Sequence, residues 1–404
     1  MRITRRSILR TAIVIASVAG VASAAGALVP SAVAQETILS ETTNLENEYW
    51  GNWDKGGKVA AEALGYKYVT LTNGGDPAKQ LSNYEAQIAA GTRLFFGVAQ
   101  STGNLRAIVE KVAAVKGIYV GAWDTLPWFH PLDVPNGAYA PWSAPDDSDA
   151  AYRLAVLLFK SIGGKGDVVH LTGFAGSNPD TARNDGFDRA LKEFPNIKVI
   201  VTQTANWNQD EARKVMESII VAHPKFDAVF GQNDSVGMGA MQACEEAGIH
   251  VPIVGLDGIA EVMKLIKEGR MLATASFTPE WQAGFAVVKA YDVEHGWKPS
   301  PLETMMFTGT IIITKNNVDP YQKFLRGGPL PFDWKKMSHV LHPDDWDEQN
   351  AAWPADPEVL WKRTNIKKPD GYDLPKAYRD AKAAGDVERI TKLYADHYKA
   401  KIPE

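Results

Sequence analysis

The stretch FDAVFGQNDSVGMGAMQACEEAGIHVPIVGLDG, residues 226–258, sets an amide at Asn233 and acids at Asp234 and Asp257 directly after or near two apolar runs, FDAVFG and VPIVGL. The next such run, MLATAS, delivers Phe277 to the same relative position. In open parallel sheets ligands sit outside the carboxyl ends of the strands, where side chains can be presented without disturbing the core. A carboxylate accepts from hydroxyls, an amide both accepts and donates, and an aromatic ring covers an apolar face. Together these groups suit a sugar. The competing reading is local, because Asp and Asn also cap helices at about 1 kcal/mol each. Asp234, adjacent to a helix start, is assigned to capping. Asn233 and Asp257, next to strand ends, are assigned to ligand contact.

Such an edge needs a parallel sheet behind it, and the chain supplies the rhythm of one. The runs TILSETT, YKYVTLT, TRLFFGVA and IYVGAW alternate with helical patterns, as in βαβ units. The Pro-rich, aromatic region DTLPWFHPLDVPNGAYAPWSAPDD is too broken for a long helix and reads as a crossover. The alternation then restarts with GDVVHLTG and IKVIVTQTA and leads into the opening stretch. After MLATASF come a helix, TPEWQAGFAVVKAYDVEHGW, and one strand, ETMMFTGTIIIT. Two α/β domains joined by crossings are expected. Beyond about residue 318 Pro, Trp and charge dominate, and six of the 12 tryptophans lie from Trp281 onward. Free disorder is usually aromatic-poor, so this tail is expected to lie over the body and to end in one helix, DLPKAYRDAKAAGDVERITKLYADHYKA.

The N-terminal segment, residues 1–34, has the form of an export signal. TRRSILR (Thr4–Arg10) precedes an uncharged Ala/Gly-rich stretch, and Ala32-Val33-Ala34 has the small-x-small form of a cleavage site. Arg5 and Arg6 match the twin-arginine type. A retained membrane anchor is disfavoured, because a bilayer span needs about 20 strongly apolar residues. Export to the periplasm is expected, with no stable membrane insertion.

Composition excludes several classes. The 404 residues are 45% hydrophobic and 23% charged, an ordinary globular balance with material for more than one core. Removing a leader that carries four arginines and no acid takes the formal net charge from −5 to −9, so a nucleic-acid surface is not expected. The single cysteine, Cys244, cannot form an internal disulfide and reads as a small buried apolar residue. His339 and His342, in SHVLHPDD, form the one close histidine cluster and read as a solvated loop rather than a metal site. No G-x-S-x-G elbow, H-E-x-x-H, phosphate loop or G-x-G-x-x-G is present. Neither catalysis, a cofactor nor a metal is expected.

GQNDSVGMGAMQACEEAGIHVPIVGLDG followed by KLIKEGRMLATASF resembles the second domain of the type I periplasmic sugar-binding proteins, the ribose- and galactose-binding group that serves ABC transporters. The resemblance covers roughly residues 36–314. It implies two Rossmann-like α/β domains with parallel sheets, joined by a hinge and followed by a C-terminal extension. The expected bounds are 35–142 with 279–308, then 143–278 with 309–318, then 319–404. It further implies ligand contacts from both domains. Arg183, in TARNDGF, matches an arginine that binds sugar hydroxyls, and Trp207, in TANWNQDEA, falls where a stacking aromatic stands. Asn233 and Asp257 match directly. LENEYWGNW aligns with the segment that supplies an asparagine and paired aromatics, here Asn47, Tyr49 and Trp50. Asp124 corresponds to an acid that is normally followed by an arginine. Two departures stand out: Thr125 replaces that arginine, and Phe277 stands in place of a glutamine. They imply a less densely hydrogen-bonded ligand, such as a disaccharide, polyol or sugar derivative.

The resemblance implies a monomeric receptor that delivers a monosaccharide, disaccharide or polyol to a membrane permease. The alternatives are an exported carbohydrate-active enzyme or a chemotaxis sugar receptor on the same fold. A repressor of the related sugar-sensing group needs DNA-binding helices where the leader sits.

Overall fold

The protein is described by a computed structural model covering residues 35–123, 129–364 and 368–403. Short apolar runs become strands buried on both faces, such as LFFG and AVFG, and amphipathic segments become the helices that cover them. The first lobe begins with β1 (Thr37–Thr42), α1 (Glu48–Leu64), β2 (Lys67–Thr72), α2 (Pro77–Ala89), β3 (Leu94–Gly97), α3 (Thr102–Ala114), β4 (Ile118–Ala122) and β5 (Tyr139–Pro145). The chain then builds the second lobe from α4 (Asp147–Ser161), β6 (Lys165–Thr172), α5 (Asn178–Glu193), β7 (Asn196–Thr204), α6 (Gln209–Ala222), β8 (Ala228–Gly231), α7 (Asp234–Glu246), β9 (Ile253–Asp257), α8 (Ala260–Glu268) and β10 (Ala273–Ser276). It returns to the first lobe with α9 (Pro279–Glu294) and β11 (Met305–Thr308), then crosses again into β12 (Ile311–Thr314) and α10 (Val318–Arg326). The tail adds β13 (Ala352–Pro354), α11 (Pro357–Thr364), α12 (Lys376–Ala383) and α13 (Asp386–Asp396).

The strand orders are β13-β11-β5-β4-β3-β1-β2 in one sheet and β12-β10-β9-β8-β6-β7 in the other. Each sheet is parallel except for its first-named strand, which pairs antiparallel. The two sheets share one winding. In each, the second strand in sequence lies at one edge and later strands add on the far side of the first. The chain passes between sheets at Asp146, at Phe277–Thr278 and at Gly309–Thr310.

Three local expectations are corrected. The Pro-rich segment does carry the crossing, at Asp146, but it also contains β5, all seven residues of which are buried, because β4 on one side and β11 on the other make an inner strand of it despite two prolines. ETMMFTGTIIIT is two strands in different sheets, divided at Gly309. The single C-terminal helix is two, α12 and α13, broken at Gly385, whose φ of 80° a side chain would disfavour.

The tail does not act as one unit. Helix α10 lies against the second lobe, where the Tyr321 hydroxyl is 2.6 Å from Ser276 Oγ and 3.1 Å from Thr278 Oγ1. Most of the rest covers the first lobe through α9, in which nearly every side chain is buried, while α11 lies against α5 of the second lobe. There Trp281 Nε1 donates to the Glu348 carbonyl at 2.9 Å, and Lys289 forms a buried ion pair with Glu348 at 3.2 Å. Asp292 accepts from the Ser338 hydroxyl and from the His339 amide. A second apolar cluster, including Trp346, Trp361, Tyr378 and Tyr394, anchors the last helices over Met306 and Leu302.

Candidate functional site

The carboxyl ends of both sheets supply side chains to one region. From the first lobe come the start of α1 and the residue after β4. Asn47 is the N-cap of α1: its Oδ1 accepts from the Tyr49 amide at 2.9 Å, so that oxygen is engaged in the helix start. Tyr49 is buried, and its hydroxyl has no hydrogen-bond partner among the described residues. Burial first, then the carboxylates of Asp257 and Asp147, push that hydroxyl well above the usual phenol range. Trp50 is half-buried and stands edge-on to Tyr49, with ring centroids 5.3 Å apart. Trp123 follows β4 with φ 51°, a left-handed conformation that costs a bulky residue about 1 kcal/mol or more. Its ring is nearly perpendicular to that of Phe277 at 5.9 Å, and its Nε1 donates to Asp147 Oδ2 at 3.0 Å. Asp124 lies outside the described residues.

The second lobe answers with charge. Arg183, on α5, is 5% exposed. Its Nε donates to Asp147 Oδ1 at 2.7 Å and its Nη1 to the Gln232 carbonyl at 2.6 Å. The guanidinium lies over two rings, 5.0 Å from the centroid of Phe277 and 5.2 Å from that of Trp207. Cations attract ring faces by about 0.5–2 kcal/mol. Trp207, with φ 57°, lies flush against Gly173, where any Cβ would fall inside the indole ring. Phe277 is fully buried beneath Arg183 and Trp123.

At the start of α7 the cap is Asn233 and not Asp234. Asn233 is the N-cap of α7, its Oδ1 accepting from the Val236 amide at 2.8 Å. Asp234 is already inside the helix and fully buried. Its Oδ2 accepts from the amides of Gly258 and Ile259 at 2.8 and 2.9 Å, and its Oδ1 from Thr274 Oγ1 at 2.6 Å. It thereby fixes the turn after β9. Asp257 opens that turn with φ 143°, a conformation rare for a side-chain-bearing residue, and the grip of Asp234 offsets the strain. Burial and the neighbouring Asp234 raise the Asp257 carboxyl well above the usual range, against the pull of Arg183.

Two residues of this region escaped the sequence reading. Asp147, 4% exposed, joins Trp123 of the first lobe to Arg183 of the second. Burial raises its carboxyl while Arg183 pulls it back. It sits two residues beyond β5, and an acid at that place would have been noticed had β5 been recognised as a strand. Trp123 was assigned to the strand IYVGAW, with nothing to mark its turn outward.

The histidine cluster separates. His339 stacks on Trp346 at 4.1 Å, and burial pushes it toward the neutral form, while the exposed His342 contacts Asp345 at 3.1 Å. Among the described residues no group of three His, Cys, Asp or Glu side chains is placed to hold a metal. A surface groove of about 490 Å3, lined by Met241, Cys244, Ile249 and Arg270, includes none of the strand-end residues. No helix among the described residues is long and apolar enough to cross a membrane.

The arrangement offers a phenol, a half-buried carboxyl, an ion-paired arginine and several ring faces, drawn from both lobes. Residues 42–296 match the sequence profile of a family described as "Periplasmic binding protein domain". The chain is 38% identical over 195 residues to a xylitol-binding protein of Mycolicibacterium smegmatis, a match spanning 45% of this chain and 54% of that protein. It is 29% identical over 271 residues to a ribose import binding protein of Haemophilus influenzae, covering 66% of this chain and 89% of the relative. Among solved structures, a twin-arginine translocation pathway signal protein from Burkholderia phytofirmans superposes with TM-score 0.69 at 26% identity, covering 74% of this chain and 95% of that one.

Proposed function

Because the chain belongs to the periplasmic binding protein family, we propose that it is the solute receptor of an ABC importer. It binds a sugar or polyol between its lobes and hands it to a membrane permease. The single observation that carries the reading is the buried hydroxyl of Tyr49 in one lobe, without a partner among the described residues and set among Asp147, Arg183 and Asp257 of the other. Leaving such a group unpaired costs about 1–3 kcal/mol, which a ligand hydroxyl would recover.

The ligand is neutral and polyhydroxylated in this reading. Arg183 already has Asp147 as counter-ion, so an acidic sugar would meet the carboxyls of Asp147 and Asp257 without a free cation. Trp50, Trp123 and Trp207 provide the faces for its C–H surfaces, with Phe277 beneath Trp123 and Arg183 as their support. Asn47 and Asn233 contribute through their amide nitrogens, since their oxygens cap helices. The relatives named for xylitol and ribose fit this class.

A ligand that touches both lobes favours the closed arrangement over an open one by the contacts it makes only there. The permease then reads closure as occupancy. Export through the twin-arginine leader to the periplasm, and a monomeric state, complete the proposal, with no catalytic step assigned to the chain.

The test is a thermal-shift screen of neutral sugars and polyols, with xylitol, ribose and allose included. A ligand at 100 times its dissociation constant stabilises by about 2.7 kcal/mol, a readily seen shift. A screen in which only acidic or cationic solutes raise the melting temperature would reject the ligand class.

A further inference from the structure

Helix α8 begins at Ala260, and its N-cap is Ile259, whose side chain has no oxygen to accept from the first turn. The three successive amides at this start are nevertheless all engaged. Gly258 and Ile259 donate to Asp234 within the same lobe, at 2.8 and 2.9 Å. Ala260 donates to Glu48 Oε1 at 2.8 Å, and Glu48 is the first residue of α1 in the other lobe. Asn52, one turn along α1, donates to the same oxygen at 3.5 Å.

We infer that Glu48 is an interlobe latch: a side chain of one lobe that caps a helix of the other, a contact that exists only while the cleft is closed. A carboxylate at a helix N-terminus is favoured by both the unpaired amides and the helix dipole. The latch bears on the site at two points. Glu48 lies between Asn47 and Tyr49 on the first turn of α1, and Ala260 lies three residues beyond Asp257. Closing the latch therefore sets Tyr49 and Asp257 relative to each other. Glu48 is a positioning residue in this account, acting through the turn that carries Asp257. The inference rests on the receptor reading for what closure is for, and it holds that the ligand-free chain already populates the latched state, in which the contact is seen, so that it can be tested without any ligand.

Amide hydrogen exchange of Gly258, Ile259 and Ala260 is measured in the full chain for wild type, Glu48→Ala and Glu48→Gln, together with the radius of gyration by small-angle scattering. Losing a helix cap is worth about five- to tenfold in such an equilibrium. Ala260 is expected to exchange about five- to tenfold faster in Glu48→Ala, with Gly258 and Ile259 unchanged and a larger radius of gyration. Glu48→Gln, which keeps an accepting oxygen, is expected to fall between, and it carries the test if the alanine variant does not fold. Equal Ala260 exchange in all three proteins, a common acceleration of all three amides, or an unchanged radius would overturn the latch. A chain that shows the latch but binds no sugar would refute the receptor reading alone.

Discussion

Arg183 Nε lies 2.7 Å from Asp147 Oδ1, with both side chains almost wholly buried, and the other oxygen of Asp147 is held by Trp123 of the opposite lobe. The pair is thus fixed before any ligand hydroxyl approaches it. Truncating one partner leaves a buried charge uncompensated, which costs about 3–5 kcal/mol. Arg183→Ala is expected to lower stability to urea by about that amount, and Arg183→Ala combined with Asp147→Ala by clearly less than the sum of the single changes. Additive losses would show that the two side chains do not act together.

Gly173 offers a second lever, because its missing side chain is what lets Trp207 lie flat. Gly173→Ala is expected to displace the indole from Arg183 and to weaken ligand binding by about tenfold, the worth of a ring stack of about 1.4 kcal/mol. Calorimetry on the folded variant checks this. An unaltered affinity would remove Trp207 from the site.

Glu41 gives a pH dependence of known sign. It is fully buried in β1, with Asn83 Nδ2 at 2.7 Å from one carboxylate oxygen and Gln80 and Asn73 close by. Burial raises its carboxyl from the ordinary 4.5 to about 7, against opposing hydrogen bonds and Lys79. A folded value above the unfolded one means that the folded chain holds the proton more tightly. The stabilisation is full below about pH 4.5 and is lost as pH rises through about 7. Glu41→Gln, neutral at every pH, is expected to match wild type near pH 4 and to exceed it at pH 8 by up to about 3 kcal/mol. Parallel unfolding curves at both pH values would contradict the assignment.

The tail is expected to be indispensable to the first lobe through Glu348, which forms a fully buried ion pair with Lys289 of α9. Glu348→Ala leaves the lysine buried alone and is expected to cost about 3–5 kcal/mol, whereas Lys289→Met with Glu348→Leu is expected to lie much nearer wild type. Equal losses would mean that the pair contributes more than it costs to desolvate.

The fold was legible wherever local pattern and burial agree. Alternating strands and helices gave both lobes, because parallel strands are apolar along their length and the covering helices keep a 3.6-residue period. The pattern failed where tertiary neighbours override it. β5 carries two prolines and reads as a loop, yet β4 and β11 enclose it, and with β5 unrecognised Asp147 had no strand end to mark it. Gly309 divides one apolar run between two sheets, which periodicity cannot show. Arg183 and Trp207 were reached only through resemblance, since nothing local distinguishes a helix arginine facing a cleft from one facing water. Asn233 and Asp234 were separated by adjacency alone. The helix start falls one residue earlier than that argument assumed, which makes the amide the cap and frees the acid to hold the next turn.

The central claim is that a neutral polyhydroxylated ligand pairs with the buried hydroxyl of Tyr49 across from Asp147, Arg183 and Asp257. Calorimetric titration of xylitol, ribose and allose into wild type and Tyr49→Phe tests it most directly, with thermal unfolding of both proteins alongside. At least one of the three is expected to bind wild type with a dissociation constant near micromolar, about 8 kcal/mol. Tyr49→Phe should weaken that ligand by about tenfold or more while leaving the free protein as stable as wild type or more so, since an unpaired buried donor has been removed. Equal affinity in the two proteins, or no binding of any neutral sugar or polyol to wild type, would contradict it.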